Sequence, residues 1–284
     1  MNSFENQIYE AAMKEYCFSR EKVNHDTFES ELRYAVNNQP PKKDTIDDEV
    51  TKLIKNLPTS FDSSIFVAQD AKDPRRFSAL LFGSNDTPYD SCGLILHIYL
   101  PNRYPEVPPK VKFITNSNGY LKISPNIMGN GTIYLSLLGT WSSKSAYDSW
   151  DPKISSLYQV LMSIQNNIFI QEPYFNDIGK QSEIGTSIGN THSQNYNQRA
   201  RLICVAEGIC GLIKNPPEEF ETLIKAHFSI KKEYVTQKLE EWKVLVDTTL
   251  GYDYTKYQGK TFEEWADEAI ALLTKVEEEI KDFV

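Results

Sequence analysis

The chain of 284 residues has little cysteine and no cysteine pattern: Cys17, Cys92, Cys204 and Cys210 form no CxxC pair and no His/Cys ligand spacing. That excludes a zinc-finger site and a disulfide scaffold, fits a reducing compartment, and gives no reason to expect a metal or any other cofactor. No apolar run approaches the roughly 20 residues of a membrane span. The opening Met1-Asn2-Ser3-Phe4-Glu5-Asn6 has neither the basic nor the apolar stretch of a secretory leader. The chain therefore reads as soluble and intracellular, in the cytoplasm and/or the nucleus. Positive charge is also short, with 30 Lys and Arg against 39 Asp and Glu, for a formal net charge of −9. Nucleic acid and anionic membranes attract concentrated Lys and Arg, so neither is expected as a partner; proteins are.

What is present is a chain of alternating patterns. Phe4, Ile8, Ala11, Ala12 and Met13 give a first helix. A polar stretch from Asn37 through Asp44, with Pro40 and Pro41, reads as a linker. Ile46, Val50, Leu53, Ile54 and Leu57 then mark an amphipathic helix that Pro58 ends, with Asp47, Asp48 and Glu49 assigned to its first turn. Four short apolar runs follow, Ser64 to Ala68, Phe77 to Phe82, Leu94 to Leu100 and Val111 to Thr115, separated by turn chemistry. Consecutive strands with short connections predict an antiparallel meander, and a helix before a sheet predicts the α+β class.

Leu157, Val160, Leu161, Ile164 and Ile168 are helical in register, with Ser155 and Ser156 as candidate caps. Residues 176–195, rich in Gly, Ser, Thr and Asn, predict a loop. Ile203, Ala206, Cys210 and Ile213 mark a further helix, on which Cys210 reads as a small core residue. The tail holds a helix around Phe220, Leu223, Ile224 and His227. A last one runs through Phe262, Trp265, Ala269, Leu272, Leu273, Val276 and Ile280, with an apolar stripe read as packing on the domain. His97, inside an apolar run, reads as structural.

Three motifs occur in order. Gly83-Ser84-Asn85-Asp86-Thr87-Pro88-Tyr89 resembles the Gly-Pro-x-x-Thr-Pro-Tyr turn of the ubiquitin-conjugating enzymes, with Ser84 in place of proline. Tyr104-Pro105-Glu106-Val107-Pro108-Pro109 resembles that family's Tyr-Pro-x-x-Pro-Pro signature, whose prolines fix φ and stiffen a surface turn. Ser124-Pro125-Asn126, seven residues, then Tyr134-Leu135-Ser136 resembles His-Pro-Asn, seven residues, Cys-Leu-Ser. Downstream, Leu138-Gly139-Thr140-Trp141, Trp150 and Glu172-Pro173-Tyr174-Phe175-Asn176 resemble the large conjugating enzymes related to the giant inhibitor-of-apoptosis type.

The resemblance covers roughly residues 44–215 and implies a conjugating-enzyme core there. An N-terminal helical extension and linker at 1–43 and a C-terminal helical extension at 216–284 complete the chain. It also implies ubiquitin or a ubiquitin-like protein as a partner, with an active conjugating enzyme or a ligase as further candidates. In the family the cysteine carries ubiquitin as a thioester, and the asparagine holds the loop and stabilises the oxyanion; Asn126 matches the latter by position. Ser124 replaces the usual histidine, which bears on loop support more than on chemistry. Glu106 stands where many members present an apolar residue to RING-type ligases.

Tyr134 stands at the nucleophile's position. A phenol with a reference pKa about 1.5 units above a thiol is ionised roughly thirty-fold less near neutrality, and its oxygen sits at the end of a rigid ring. Loss of the relay is the expectation, which leaves a binding or regulatory module. An active conjugating enzyme stays open, through a Tyr134 that replaces a native cysteine or through another thiol, as does an adaptor unconnected with ubiquitin.

Overall fold

A computed structural model describes residues 3–23, 27–28, 41–114, 123–141 and 149–281. Helix α1, Ser3–Met13, leads into strand β1, Phe18–Glu21. Helix α2, Lys43–Asn56, precedes β2, Ser64–Asp70, β3, Arg76–Phe82, β4, Gly93–Tyr99, and β5, Lys110–Ile114. Helix α3 is Leu157–Asn167 and α4 is Ser187–Cys204, the latter continuing through a π-helical stretch, Val205–Gly211, to Leu212–Lys214. Helix α5, Glu221–Val244, a helical turn at Tyr252–Thr255, the strands β6, Lys256–Tyr257, and β7, Lys260–Thr261, and helix α6, Phe262–Lys281, complete the order.

The sheet runs β1-β2-β3-β4-β5. Strands β2 to β5 are the expected antiparallel meander, with Leu80 opposite Phe66 on one side and Ile95 on the other. The sequence reading missed β1, which adds to β2 in parallel with Phe18 opposite Val67. Its four residues, Phe-Ser-Arg-Glu, carry one strong apolar side chain, so an edge strand held by backbone pairing left no alternating pattern to read. Strand β2 is buried along its whole length, because helices and extensions cover both faces. A single apolar cluster runs from Tyr9 and Met13 through the sheet and α3 to Trp265 and Val276 of α6, so the last helix packs on the domain.

Four local expectations change. Helix α1 buries Tyr9 and Met13, while Phe4 and Ile8 stay 62% and 46% exposed; the Tyr9 hydroxyl lies 2.8 Å from Ser64 Oγ and 2.7 Å from His227 Nδ1, which fixes the docked face. Helix α2 starts at Lys43, inside the expected linker, so Asp44 is the acid of its first turn and Asp47, Asp48 and Glu49 fall in the second. Buried Glu49 instead accepts the Leu157 N–H at 2.8 Å and so caps the start of α3. Ser156 completes that start with a capping box to Gln159.

The expected loop at 176–195 is in large part helix, since α4 begins at Ser187 under a Thr186 cap that accepts the Gly189 N–H. Its buried positions include Gly189, Ser193 and Gln198, so the helix docks through small and polar residues that a search for apolar spacing passes over. His97 on β4 lies 2.6 Å from Thr27 Oγ1 through Nδ1, a structural contact. Asn37 to Pro40 of the linker and Thr115 of the fourth run lie outside the described residues.

Candidate active-site cleft

After β5, the segment 123–141 folds back on the sheet. The Phe113 N–H donates to Gly131 O at 2.8 Å, and Met128 N–H donates to Thr132 O at 2.9 Å. Gly131 has φ +79, and a Cβ there would lie 2.3 Å from Phe113 O, so only glycine allows this turn to approach the strand. The turn returns the chain so that Ile133 bridges Ile127.

The fold-back brings Asn126 and Tyr134 together. Tyr134 N–H donates to Asn126 O at 2.7 Å, and Asn126 Nδ2 donates to Tyr134 O at 3.1 Å. One N–H of the side-chain amide that the family resemblance assigns to an oxyanion is thus used here on the loop itself. Ser124 is buried, and its Oγ accepts the Asn126 N–H at 3.2 Å, which supports the loop where the family keeps histidine. Thr140 Oγ1 donates to Ile133 O at 2.6 Å and accepts Leu135 N–H at 3.0 Å, closing the far end.

Tyr134 and Asn126 border a cleft of about 980 Å³, to which Trp141, Gln159 and Ser163 of α3, and Phe175 also contribute. Tyr134 is half-buried. Its hydroxyl lies 2.8 Å from Met128 Sδ and its ring centroid 5.6 Å from that of Trp141. The cleft carries the carboxylates Asp151 and Glu172, and Glu172 Oε1 accepts from Ser193 Oγ at 3.1 Å.

None of the chain's four cysteines lines this cleft. Cys92, Cys204 and Cys210 are buried in the core. Burial pushes the Cys92 thiol well up, the Cys210 thiol up to about 12, and the Cys17 thiol up from its usual range. Such thiols are poor thiolate sources.

One cluster beside the cleft escaped the sequence reading. Tyr174 OH donates to Glu183 Oε2 at 2.8 Å, His192 Nδ1 lies 2.9 Å from the same oxygen, and Lys180 Nζ donates to Glu183 Oε1 at 3.0 Å. The hydrogen bonds from His192, Lys180 and Tyr174 hold the Glu183 carboxyl down to about 2. The cluster ties the segment carrying Phe175 and Ile184 to α4; the cap at Thr186 with Tyr196, Ala200 and Ile203 at helical spacing was the available signal. Glu106 is exposed on the proline turn, where Trp150 Nε1 donates to Pro105 O at 2.6 Å. Among the described residues, no group of three or more His, Cys, Asp or Glu is arranged to hold a metal, and no helix is long and apolar enough to cross a membrane.

An α+β domain whose antiparallel meander leads into a Pro-Asn loop beside a cleft, which Gln159 and Ser163 of α3 also line, has the architecture of a ubiquitin-conjugating domain. The chain belongs to the ubiquitin-conjugating enzyme family, whose sequence model matches residues 45–204. It is 39% identical over 194 residues to a probable ubiquitin-conjugating enzyme E2 of Acanthamoeba polyphaga mimivirus, covering 68% of this chain and 13% of that protein. It is 32% identical over 238 residues to probable ubiquitin-conjugating enzyme protein 17 of Caenorhabditis elegans, covering 84% and 32%. Against the dual E2 ubiquitin-conjugating enzyme/E3 ubiquitin-protein ligase BIRC6 of Homo sapiens it is 30% identical over 271 residues, covering 91% and 6%. The chain thus spans no more than 32% of the length of these three relatives.

Proposed function

We propose that this chain is a ubiquitin-conjugating-type domain without a relay nucleophile, serving as a binding or regulatory module for ubiquitin or a ubiquitin-like protein. An active conjugating enzyme or a ligase is its further partner. The observation that carries this reading is the residue held beside Asn126: it is Tyr134, and all four cysteines lie away from the cleft. A phenol has too little anion near neutrality and too long a reach to take over thioester exchange. Tyr9, Met13 and Val23 of the N-terminal extension and Phe220, Phe228, Trp265 and Val276 of the C-terminal one share the apolar core with the segment between them, so the proposed module acts as one body.

The test is an incubation of the intact chain with activating enzyme, ATP and ubiquitin, read on a non-reducing gel and followed by a ubiquitin titration. No reducible adduct together with saturable ubiquitin binding is expected. The names of these relatives favour an active conjugating enzyme as the second reading. An adduct removed by reductant and mapped to one of the four cysteines establishes that reading and overturns the first; absence of both adduct and binding leaves an adaptor unconnected with ubiquitin.

A further inference from the structure

We propose that α5, which lies beyond the family match, positions the Asn126–Tyr134 loop through a buried relay formed by Tyr234, Asp90, Tyr89 and the carbonyl of Ile123. The inference goes beyond the function proposed above and holds whether or not Tyr134 is a relay residue.

Helix α5 turns an unusual face to the sheet. His227, Lys231, Tyr234 and Lys238 recur at intervals of four, three and four residues, which aligns them on one side of the helix. His227 and Lys231 are both 1% exposed. Lys231 Nζ donates to Phe61 O at 2.8 Å, with the Phe61 and Tyr234 ring centroids 4.5 and 4.9 Å away. Tyr234 OH donates to Asp90 Oδ2 at 2.9 Å.

Asp90 is 2% exposed and belongs to the tight connection between β3 and β4. Its Oδ1 accepts from Ser91 Oγ at 2.9 Å. Tyr89, its chain neighbour, is fully buried, packs edge-on against Phe169 at 5.0 Å, and donates through its hydroxyl to Ile123 O at 2.5 Å. Gly83 fixes the connection from the other side, since a Cβ there would lie 2.0 Å from Tyr89 O.

Ile123 O is the backbone atom immediately before Ser124, whose hydroxyl holds Asn126, whose main chain and amide hold Tyr134. Every link from α5 to Tyr134 is therefore a hydrogen bond or a peptide bond. Three of the side chains involved, Asp90, Tyr89 and Ser124, are buried, where hydrogen bonds are unscreened by water and costly to leave unmade. A shift of α5 along its axis changes the seat of Asp90 and, through the Tyr89 ring, the height of the loop. Tyr234, Asp90 and Tyr89 are positioning residues; none contacts the cleft.

The experiment is amide hydrogen exchange and NMR on the full chain with Tyr234→Phe, which removes one hydroxyl and leaves the ring. The expected result is faster exchange at the Tyr134 amide, roughly fivefold for one lost hydrogen bond, with a shifted Asn126 side-chain amide signal. Leu80 and Leu96, at the centre of the sheet, should keep their protection. Tyr89→Phe should give the same pattern, and the double variant should add nothing to Tyr89→Phe alone, as members of one relay do. Lys225→Ala, on the same helix and paired with Glu221 and Glu279 among the described residues, should leave Tyr134 unmoved. A folded Tyr234→Phe chain with unchanged Tyr134 and Asn126 signals overturns the proposal. So does protection lost equally at Leu80, Leu96 and Tyr134, which would be global destabilisation alone.

Discussion

At Tyr134 the bonds to Asn126 run through the backbone and the side chain meets Met128 only through its hydroxyl, so the side chain can change without breaking the bonds to Asn126. Tyr134→Cys is therefore expected to yield a chain that forms a reducible ubiquitin adduct with activating enzyme and ATP. Removing a half-buried ring that packs near Trp141 should cost about 1 to 3 kcal/mol, so a urea melt must first establish folding. If a folded variant stays uncharged where an ordinary conjugating enzyme charges fully, contacts to the activating enzyme are missing as well as the thiol. Gly131 carries the opposite prediction, because its backbone tolerates no Cβ. Gly131→Ala should lose about 1 to 3 kcal/mol from the left-handed φ, with more from the clash at Phe113 O, and should perturb the Tyr134 resonances. Wild-type stability and unshifted Tyr134 signals would show that the turn does not hold the loop. The pairing of Asn126 with Tyr134 was implied by the motif's resemblance to the family and not by its spacing alone. The use of the asparagine amide as a brace for Tyr134 O was not, because it depends on where the returning strand lands.

Elements carried by apolar runs or apolar periodicity were legible, and polar docking contacts were not. Strands β2 to β5 are short apolar runs between turns and helices α2, α3 and α6 bury apolar sets at helical spacing, so run length and the 3.6-residue period found them. The first part of α4 seats Gly189, Ser193 and Gln198 and was expected as loop, while α5 was expected as a helix from Leu223, Ile224 and His227 but not with Lys231 on its buried face, where hydrogen-bond partners rather than the pattern set the packing. Glu49 shows the same blindness within a helix that was found. Its carboxylate leaves α2, takes the Leu157 N–H of α3, and pairs with Lys52 at 3.0 Å. Glu49→Ala should therefore uncap a different helix from the one it belongs to. A loss of about 1 to 3 kcal/mol follows from leaving a buried N–H without a partner, and the amides at the start of α3 should exchange faster than those of α2. Faster exchange confined to α2 would show that the residue serves its own helix instead. Ser156→Ala, at the capping box, should cost about 1 kcal/mol in the same assay.

Across the whole molecule, the titrating groups at the seam between the extensions and the sheet make stability depend on pH on two sides. His227 touches Tyr9 of α1 through Nδ1, and Phe82 of β3 lies stacked on its ring. Burial and the nearby Lys231 charge hold its pKa well below the usual 6.5, so it stays neutral in the folded chain. Below about pH 6.5 the unfolded chain takes up a proton that the folded chain refuses, so stability falls, by at most about 1.4 kcal/mol per pH unit for this one group. Lys231 acts on the alkaline side. Burial lowers it from 10.5 to about 8, against the opposing pull of Asp90 and Asp62. Between those two values the unfolded chain holds the extra proton, so stability rises with pH over that window and is flat just below it. Urea midpoints for the wild type should therefore fall from pH 6.5 toward pH 5 and gain an upward component between about pH 8 and 10. Lys231→Met fills a similar volume without the charge and should lose the alkaline rise. It should also weaken the acid-side fall, since one of the two causes holding His227 down is gone. An alkaline rise of the same slope in Lys231→Met would place its source elsewhere and leave the buried lysine with a packing role only. Because His227 meets α1 while Lys231 meets the carbonyl of Phe61 just before β2, the two slopes report the same event, the seating of both extensions on one sheet.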